Sequence, residues 1–270
     1  LNFCGHQNIL GSCIQKKVVE MRSLFVLFGF IVLSCSSAYG TVFYEGTAAF
    51  SKYREINWSW IRQLVPDKPV IVDVGVYYGL DTCKAAQLWP EAEIFALEAN
   101  PRAYVEMLKH INERDCNRIK THYLALGDHN GTAPFYLCKG PNGDDISYDH
   151  ASSLLPPSPD LGWRTPKIEV PCMILDDWCQ LNNIEHIDIL KLELEGFELQ
   201  ALQCSPNILK KVKIIWLQSF FSSDRIGMTN YFWLKDFLYK SNFVVLAHWY
   251  TQGGRGSAIY VSQELFKGLQ

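Results

Sequence analysis

The chain has 270 residues, 48% of them hydrophobic and 20% charged, with a formal net charge of -3 at pH 7. That composition belongs to a globular protein able to bury a sizeable core, and it excludes a disordered or low-complexity chain. Without a basic surplus there is no electrostatic footprint for nonspecific nucleic-acid binding, so nucleic acid is not expected as a partner.

Residues 1 to 20 contain no methionine, whereas Met21 is followed by Arg22 and by an apolar run from Leu24 to Leu33. A basic start, an apolar middle and the small residues Ala38 and Gly40 before Thr41 have the layout of a secretory leader, too short to span a bilayer comfortably. Val32, Leu33, Ser34 and Cys35 also resemble a lipoprotein cleavage box, which makes Cys35 a candidate lipid attachment site. The expected division is residues 1–40 as upstream sequence and leader or anchor, with Met21 as the start, and residues 41–270 as one domain of a secreted or membrane-anchored protein. The competing reading is an apolar N-terminal helix packed on a cytoplasmic protein.

Trp58, Ile61 and Leu64 recur at helical spacing before the prolines at 66 and 69. Val70 to Asp73 then reads as a strand running into a turn with Gly75 and Gly79, and Asp81 is placed to cap a helix from Thr82 to Leu88. Ile94 to Leu97 is a second strand, and Pro101 starts a helix whose apolar stripe is Tyr104, Met107, Leu108 and Ile111. Strand alternating with helix predicts a parallel sheet. Thr121 to Leu126 reads as a third strand, Gly127 to Gly131 as a turn, and Ala133 to Leu137 as a shorter strand.

Lys139 to Lys167 has no sustained period and is expected to be a long loop, either functional or disordered. Strands follow at Ile168 to Ile174, Ile187 to Leu194 and Ile214 to Gln218, with helices at Leu175 to Asn182, from Gly196 through Leu202, and around Tyr231, Leu234 and Leu238. A hairpin of Phe243 to Ala247 and Ser257 to Val261, joined by a loop containing Gly253, Gly254, Arg255 and Gly256, closes the chain. Beyond the leader the cysteines are Cys83, Cys116, Cys138, Cys172, Cys179 and Cys204, with no C-x-x-C pair. Buried thiols and disulfides both remain open, while the spacing does not suit zinc. Asp176 and Asp177 read as a helix cap rather than as metal ligands, and no metal is expected.

Ligands of open α/β sheets bind outside the carboxyl ends of the strands, so the turn at Gly75 is the candidate cofactor site. Glu98 ends the second strand 23 residues further on, where a carboxylate can accept both hydrogen bonds of a ribose diol. A dinucleotide fingerprint needs glycine where Tyr77 stands, and the aromatic side chain obstructs a pyrophosphate. S-adenosylmethionine therefore fits this turn better than NAD.

The blocks D-V-G-V-Y-Y-G (73 to 79), F-A-L-E-A-N-P (95 to 101), A-L-G-D-H-N-G (125 to 131), S-S-L (152 to 154) and D-I-L-K-L-E-L-E-G-F-E (188 to 198) resemble, in order, the motif set of the FkbM-type methyltransferases. The resemblance implies a class I, Rossmann-like methyltransferase: a seven-stranded, mostly parallel sheet with a reversed last strand and helices on both faces. It also implies methyl transfer from S-adenosylmethionine to a hydroxyl of a sugar or small molecule. Asp73, Gly75, Tyr77 and Gly79 would then form the cofactor turn, Glu98 would hold the ribose and Asp128 would lie near the adenine. The family commonly has K-I-D-V-E-G where this chain has K-L-E-L-E-G, so Glu193 reaches one methylene further.

Lys191, Glu193 and Glu195 alternate along one strand and tend toward one sheet face. Charges on a buried strand are costly unless used or paired, so these residues read either as acceptor-site and catalytic groups or as an internal ion pair around Lys191. His150, in the long loop, is the alternative base, and His248 a weaker one. Two other readings stand beside this one: an NAD-dependent oxidoreductase, which Tyr77 disfavours, and a noncatalytic glycan- or protein-binding module on the same fold.

Overall fold

The computed structural model describes residues 57–140, 146–221, 223–250 and 254–269. The expected leader, the Met21 start and the boundary at residue 41 lie outside the described residues. In chain order the strands are β1 (Val70–Val74), β2 (Glu93–Glu98), β3 (Lys120–Tyr123), β4 (Ala125–Leu126), β5 (Gly131–Tyr136), β6 (Lys167–Met173), β7 (Ile187–Leu192), β8 (Val212–Phe220), β9 (Phe243–Tyr250) and β10 (Arg255–Ser262). The helices are α1 (Asn57–Ile61), α2 (Leu80–Leu88), α3 (Pro101–Glu113), α4 (Leu175–Leu181), α5 (Glu198–Gln203), α6 (Pro206–Leu209), α7 (Tyr231–Lys240) and α8 (Gln263–Gly268).

Seven strands form one sheet in the order β3-β2-β1-β7-β8-β10-β9, parallel except for β10, which runs antiparallel to both its neighbours. The reason lies in the strands' composition. β1, β2, β7 and β8 are apolar on both faces, as strands covered on both sides must be. Ile71, Ile94, Ile189 and Ile214 pack on one side with Trp58, Ala85 and Met107. Val72, Phe95, Leu190 and Ile215 pack on the other with Trp178, Leu202, Leu234 and Leu238. Polar groups at the strand starts are paired: Asp188 accepts from the Val70 N–H at 2.8 Å and meets Lys213 at 2.8 Å.

Helix α3 starts where the sequence places it, because Asn100 accepts from the N–H groups of Arg102 and Ala103 at 3.1 and 3.4 Å, with Pro101 at the first position. Its buried face is Ala103, Met107 and Ile111, whereas Leu108, expected in the stripe, is 41% exposed. Asp81 does not cap α2. Gly79, in the left-handed region, occupies that position, and Asp81 instead accepts from the Trp58 indole N–H at 3.0 Å.

The expected third strand is broken at Leu124: β3 stays in the main sheet, while β4 joins a separate sheet in the order β4-β6-β5. The stretch 139–167 carries short 3-10 helices at Ile146–Ala151 and Pro159–Leu161, and its residues 141–145 lie outside the described residues. Backbone bonds tie it down on both sides, from Tyr136 N to Ser153 O at 2.8 Å and from Ser158 N to Asp224 O at 2.9 Å. In the closing hairpin, Arg255 and Gly256 belong to β10 rather than to the loop, and a further short helix, α8, follows it. Cys83, Cys116, Cys138, Cys172 and Cys179 are buried free thiols, and Cys204 is a half-buried one. No helix among the described residues is long and apolar enough to cross a membrane.

Candidate active site

β1 delivers the chain to the carboxyl edge of the sheet, where Gly75 turns it back with φ +75°. A Cβ at this position would lie 2.0 Å from the Glu193 carbonyl oxygen, so the ends of β1 and β7 meet with bare backbone between them. The Gly75 N–H donates to Leu97 O at 2.9 Å and the Glu193 N–H to Val74 O at 3.0 Å, which fixes the turn to both neighbouring strands. Tyr77 adopts φ +54°, its ring stacked on Tyr78 at 3.8 Å, and its N–H points to Glu98 Oε2 at 2.7 Å. Gly79 is also left-handed, and a Cβ there would press on the Met107 side chain at 2.8 Å.

Glu98 is buried and held at both oxygens, Oε2 by Tyr77 and Oε1 by the Asn100 N–H at 2.7 Å. Burial pushes its carboxyl up to about 7, against the pull of those backbone donors. A carboxylate offers about four acceptor sites, so beyond its backbone N–H donors Glu98 keeps the capacity that a pair of adjacent hydroxyls needs.

Above Glu98 lies an open cavity enclosing about 510 Å³, part of it open to solvent. Four stretches of chain line it: Val74, Gly75, Tyr77, Glu98 and Ala99 at the ends of β1 and β2, the mainly apolar Leu124, Ala125, Leu126 and Phe135, the loop residues Asp149, His150, Ser152 and Leu154, and Glu193, Leu194 and Phe197 after β7. Its ionisable lining is mainly acidic, with Glu98, Asp149 and Glu193 beside His150. Arg102 reaches Asp149 from the surface.

The other sequence-predicted residues separate into groups. Asp73 and Lys191 are buried behind the turn, not in the cavity wall: Lys191 Nζ lies 3.3 Å from Asp73, 2.8 Å from Glu193 and 5.3 Å from the centre of the Trp216 ring. Thr82 donates to Asp73 at 2.7 Å. Burial raises the Asp73 carboxyl to about 6, with Lys191 opposing the rise. Burial also works against the Lys191 charge, yet Asp73, Glu193 and Asp81 outweigh it and hold the ammonium above its ordinary range. Lys191 thus forms the internal ion pair, and Glu193 carries that network to the cavity.

Glu195 faces away from the cavity. Its backbone is left-handed at φ +53°, which turns the side chain toward Gln218 at 3.0 Å, Arg255 at 3.7 Å and Arg225 at 3.9 Å. Asp128 is exposed in the turn before β5, bonded to His129 at 2.7 Å and outside the cavity lining. His150 does line the cavity, its Nδ1 2.7 Å from Ser147 O and its ring 6.1 Å from that of Tyr77. His248 stacks on Tyr231 at 4.2 Å outside the lining, and burial pushes it down to about 4.

Glu198 is not among the residues that the sequence marks as site candidates. It accepts from the N–H groups of Leu194 and Gly196 at 2.9 and 3.0 Å and so shapes the turn that carries Glu193, with burial raising its carboxyl to about 8. The signal was the acid two residues after Gly196, placed to take the bare N–H groups of a turn.

A glycine turn at the end of β1, a carboxylate at the end of β2 and an antiparallel last strand between β8 and β9 define a class I, Rossmann-like methyltransferase. Residues 73–245 match the family model described as Methyltransferase FkbM domain, and the chain belongs to that family. S-adenosylmethionine is its methyl donor. The chain is 26% identical over 181 residues to 2-O-methyltransferase NoeI of Sinorhizobium fredii (strain NBRC 101917 / NGR234), spanning 65% of this chain and 73% of that protein. It is 23% identical over 146 residues to Methyltransferase 1 of Beauveria bassiana (strain ARSEF 2860), spanning 51% and 59%. Among solved structures, a methyltransferase FkbM from Methylobacillus flagellatus KT superposes with a TM-score of 0.47 at 14% identity, covering 72% of this chain and 44% of that one. TrmK of M. capricolum, solved with S-adenosyl-homocysteine, gives 0.44 at 12% identity, covering 77% and 68%.

Proposed function

We propose that this protein moves the methyl group of S-adenosylmethionine onto a hydroxyl of a sugar-like acceptor. The observation that carries the reading is one cavity holding both a Glu98 cradle for a ribose and, on another wall, the Glu193 carboxylate. The relative named as a 2-O-methyltransferase supports a hydroxyl as the acceptor.

The cavity's own atoms suit the donor. The apolar side at Leu124, Leu126 and Phe135 takes a flat base, Glu98 takes the ribose diol, and the acidic lining favours a cation. Bare backbone at Gly75 lets a ligand lie close to the strand ends. When bound, S-adenosylmethionine would supply a methyl carbon on a sulfonium, open to in-line attack by an aligned oxygen, with the carbon–sulfur bond breaking and the neutral thioether as leaving group.

The protein's task is then to hold the acceptor oxygen and take its proton. Glu193 is the residue we assign to that proton, because it lines the cavity and Lys191 fixes one of its oxygens at 2.8 Å. Asp73 steadies Lys191 from behind, so Asp73, Lys191 and Glu193 act as one rail. His150, which also lines the cavity, is the second base to test. Glu195 and Asp128 have no role in this scheme.

Isothermal titration with S-adenosylmethionine and with NAD, followed by methyl-transfer assays on free hexoses and methyl hexosides, tests the reading. The expected result is binding of S-adenosylmethionine alone and methylation of a hexoside hydroxyl. Binding of NAD alone would indicate an oxidoreductase, and binding of neither a noncatalytic module. Export through the Met21 leader is part of the proposal, and mass spectrometry of the mature protein should find a start near Thr41 or a lipidated Cys35.

A further inference from the structure

The wall formed by Asp149, His150, Ser152 and Leu154 belongs to neither strand end that carries the cofactor turn. Its position must be set by something else. Ser153, between two lining residues, shares its hydroxyl proton between the carbonyls of Leu194 and Glu195, both at 3.2 Å, and its oxygen accepts from the Leu155 N–H at 3.1 Å. Arg225 holds the same segment from beneath, with Nη1 on Leu155 O at 3.2 Å and Nη2 on Ala151 O. The two carbonyls bracket residues 152–154 of the wall.

Arg225 is 1% exposed, and its closest carboxylate is Glu195 Oε2 at 3.9 Å, which Arg255 also approaches at 3.7 Å. Its Nε meets no acceptor among the described residues. A guanidinium buried on these terms is costly, and an apolar side chain of similar volume often stabilises a fold as well or better. What an apolar side chain cannot do is fix two carbonyls at a set separation while answering the charge of Glu195. The forked geometry of arginine does both.

We propose that Arg225 is a positioning residue that, with Ser153, bolts the Asp149–Leu155 wall to the β7–α5 turn and so sets where the acceptor hydroxyl lies relative to Glu193. The inference rests on the hydroxyl-methylation reading and assigns Glu195 a place in that bolt. It concerns the acceptor more than the donor, because the Glu98 cradle is built from β1, β2 and the start of α3.

The test compares R225K, which keeps the charge but loses the fork, with S153A, which removes only a hydroxyl. The probes are S-adenosylmethionine and the methyl hexoside that the unaltered protein methylates fastest. Both variants should lower kcat for the hexoside about tenfold or more, with the hexoside KM changed less than kcat and the S-adenosylmethionine Kd within about twofold of the original, since small misplacements near a reacting atom are expensive. Hydrogen exchange at residues 149–155 should quicken in both, while β1 and α3 keep their protection. An unchanged hexoside kcat together with unchanged exchange in S153A overturns the proposal, and so does an equal loss of donor and acceptor affinity in R225K. If the unaltered protein binds S-adenosylmethionine but methylates no hexoside, the acceptor reading fails, and the exchange measurement still decides whether the bolt exists.

Discussion

One carbon added at residue 75 would stand 2.0 Å from the Glu193 carbonyl, on a backbone already at φ +75°. G75A should therefore cost on the order of 1–3 kcal/mol of stability and abolish S-adenosylmethionine binding, both readable by thermal melts and calorimetry. Glu98 makes a separate prediction. Its carboxyl, raised to about 7, accepts a diol best when ionised, so donor affinity should rise from pH 6 to pH 8. E98Q should weaken binding and flatten that dependence, because an amide cannot accept from both Tyr77 N and Asn100 N. These residues were legible in the sequence because strand, glycine and acid lie at readable spacings. Glu195 was not, because its direction depends on a left-handed backbone at φ +53° that a side-chain alternation rule cannot foresee. Arg225 was not either, since its partners Ala151 and Leu155 lie more than sixty residues away, at separations of 74 and 70.

The elements most clearly written in the chain are those whose stabilising contacts are local or periodic. α3 has its cap, its proline and most of its stripe within one short segment. N100A should accordingly cost about 1 kcal/mol through loss of the cap, measured by denaturant unfolding. β7 is apolar through Leu192 save for Asp188 and Lys191, each paired, and L190A should cost about 2–5 kcal/mol by opening a cavity between sheet and helices. The break at Leu124 was illegible for the opposite reason. Nothing in Thr121 to Leu126 marks a change of sheet, because the partner that draws β4 away is β6, which pairs Ala125 with Cys172 and Leu126 with Met173. Likewise the 139–167 stretch lacks periodicity because 3-10 turns, single backbone bonds and the side chains of Ser153 and Arg225, not regular elements, hold its described part.

Across the molecule, buried ionisable groups set a pH window. Glu98 and Glu198 are raised to about 7 and about 8, so their contribution is full below their unfolded values and is lost as pH rises through the folded ones. His248 is lowered to about 4, so its contribution is present above its unfolded value and is lost as pH falls toward 4. With two raised carboxyls against one lowered imidazole, these groups together should make the melting temperature fall as pH rises from about 5 to 8, and a profile that climbs steadily from pH 5 to pH 9 would contradict these assignments. The strand order carries a different lesson. β10, made last among the strands, supplies the edge on which β9 rests and covers the edge of β8. On a translating ribosome β9 consequently has no seat until residues beyond Arg255 have left the exit tunnel, and the oily rim of β8 stays uncovered meanwhile. Nascent chains halted before that point should engage holding chaperones, and release should coincide with the arrival of the final hairpin arm.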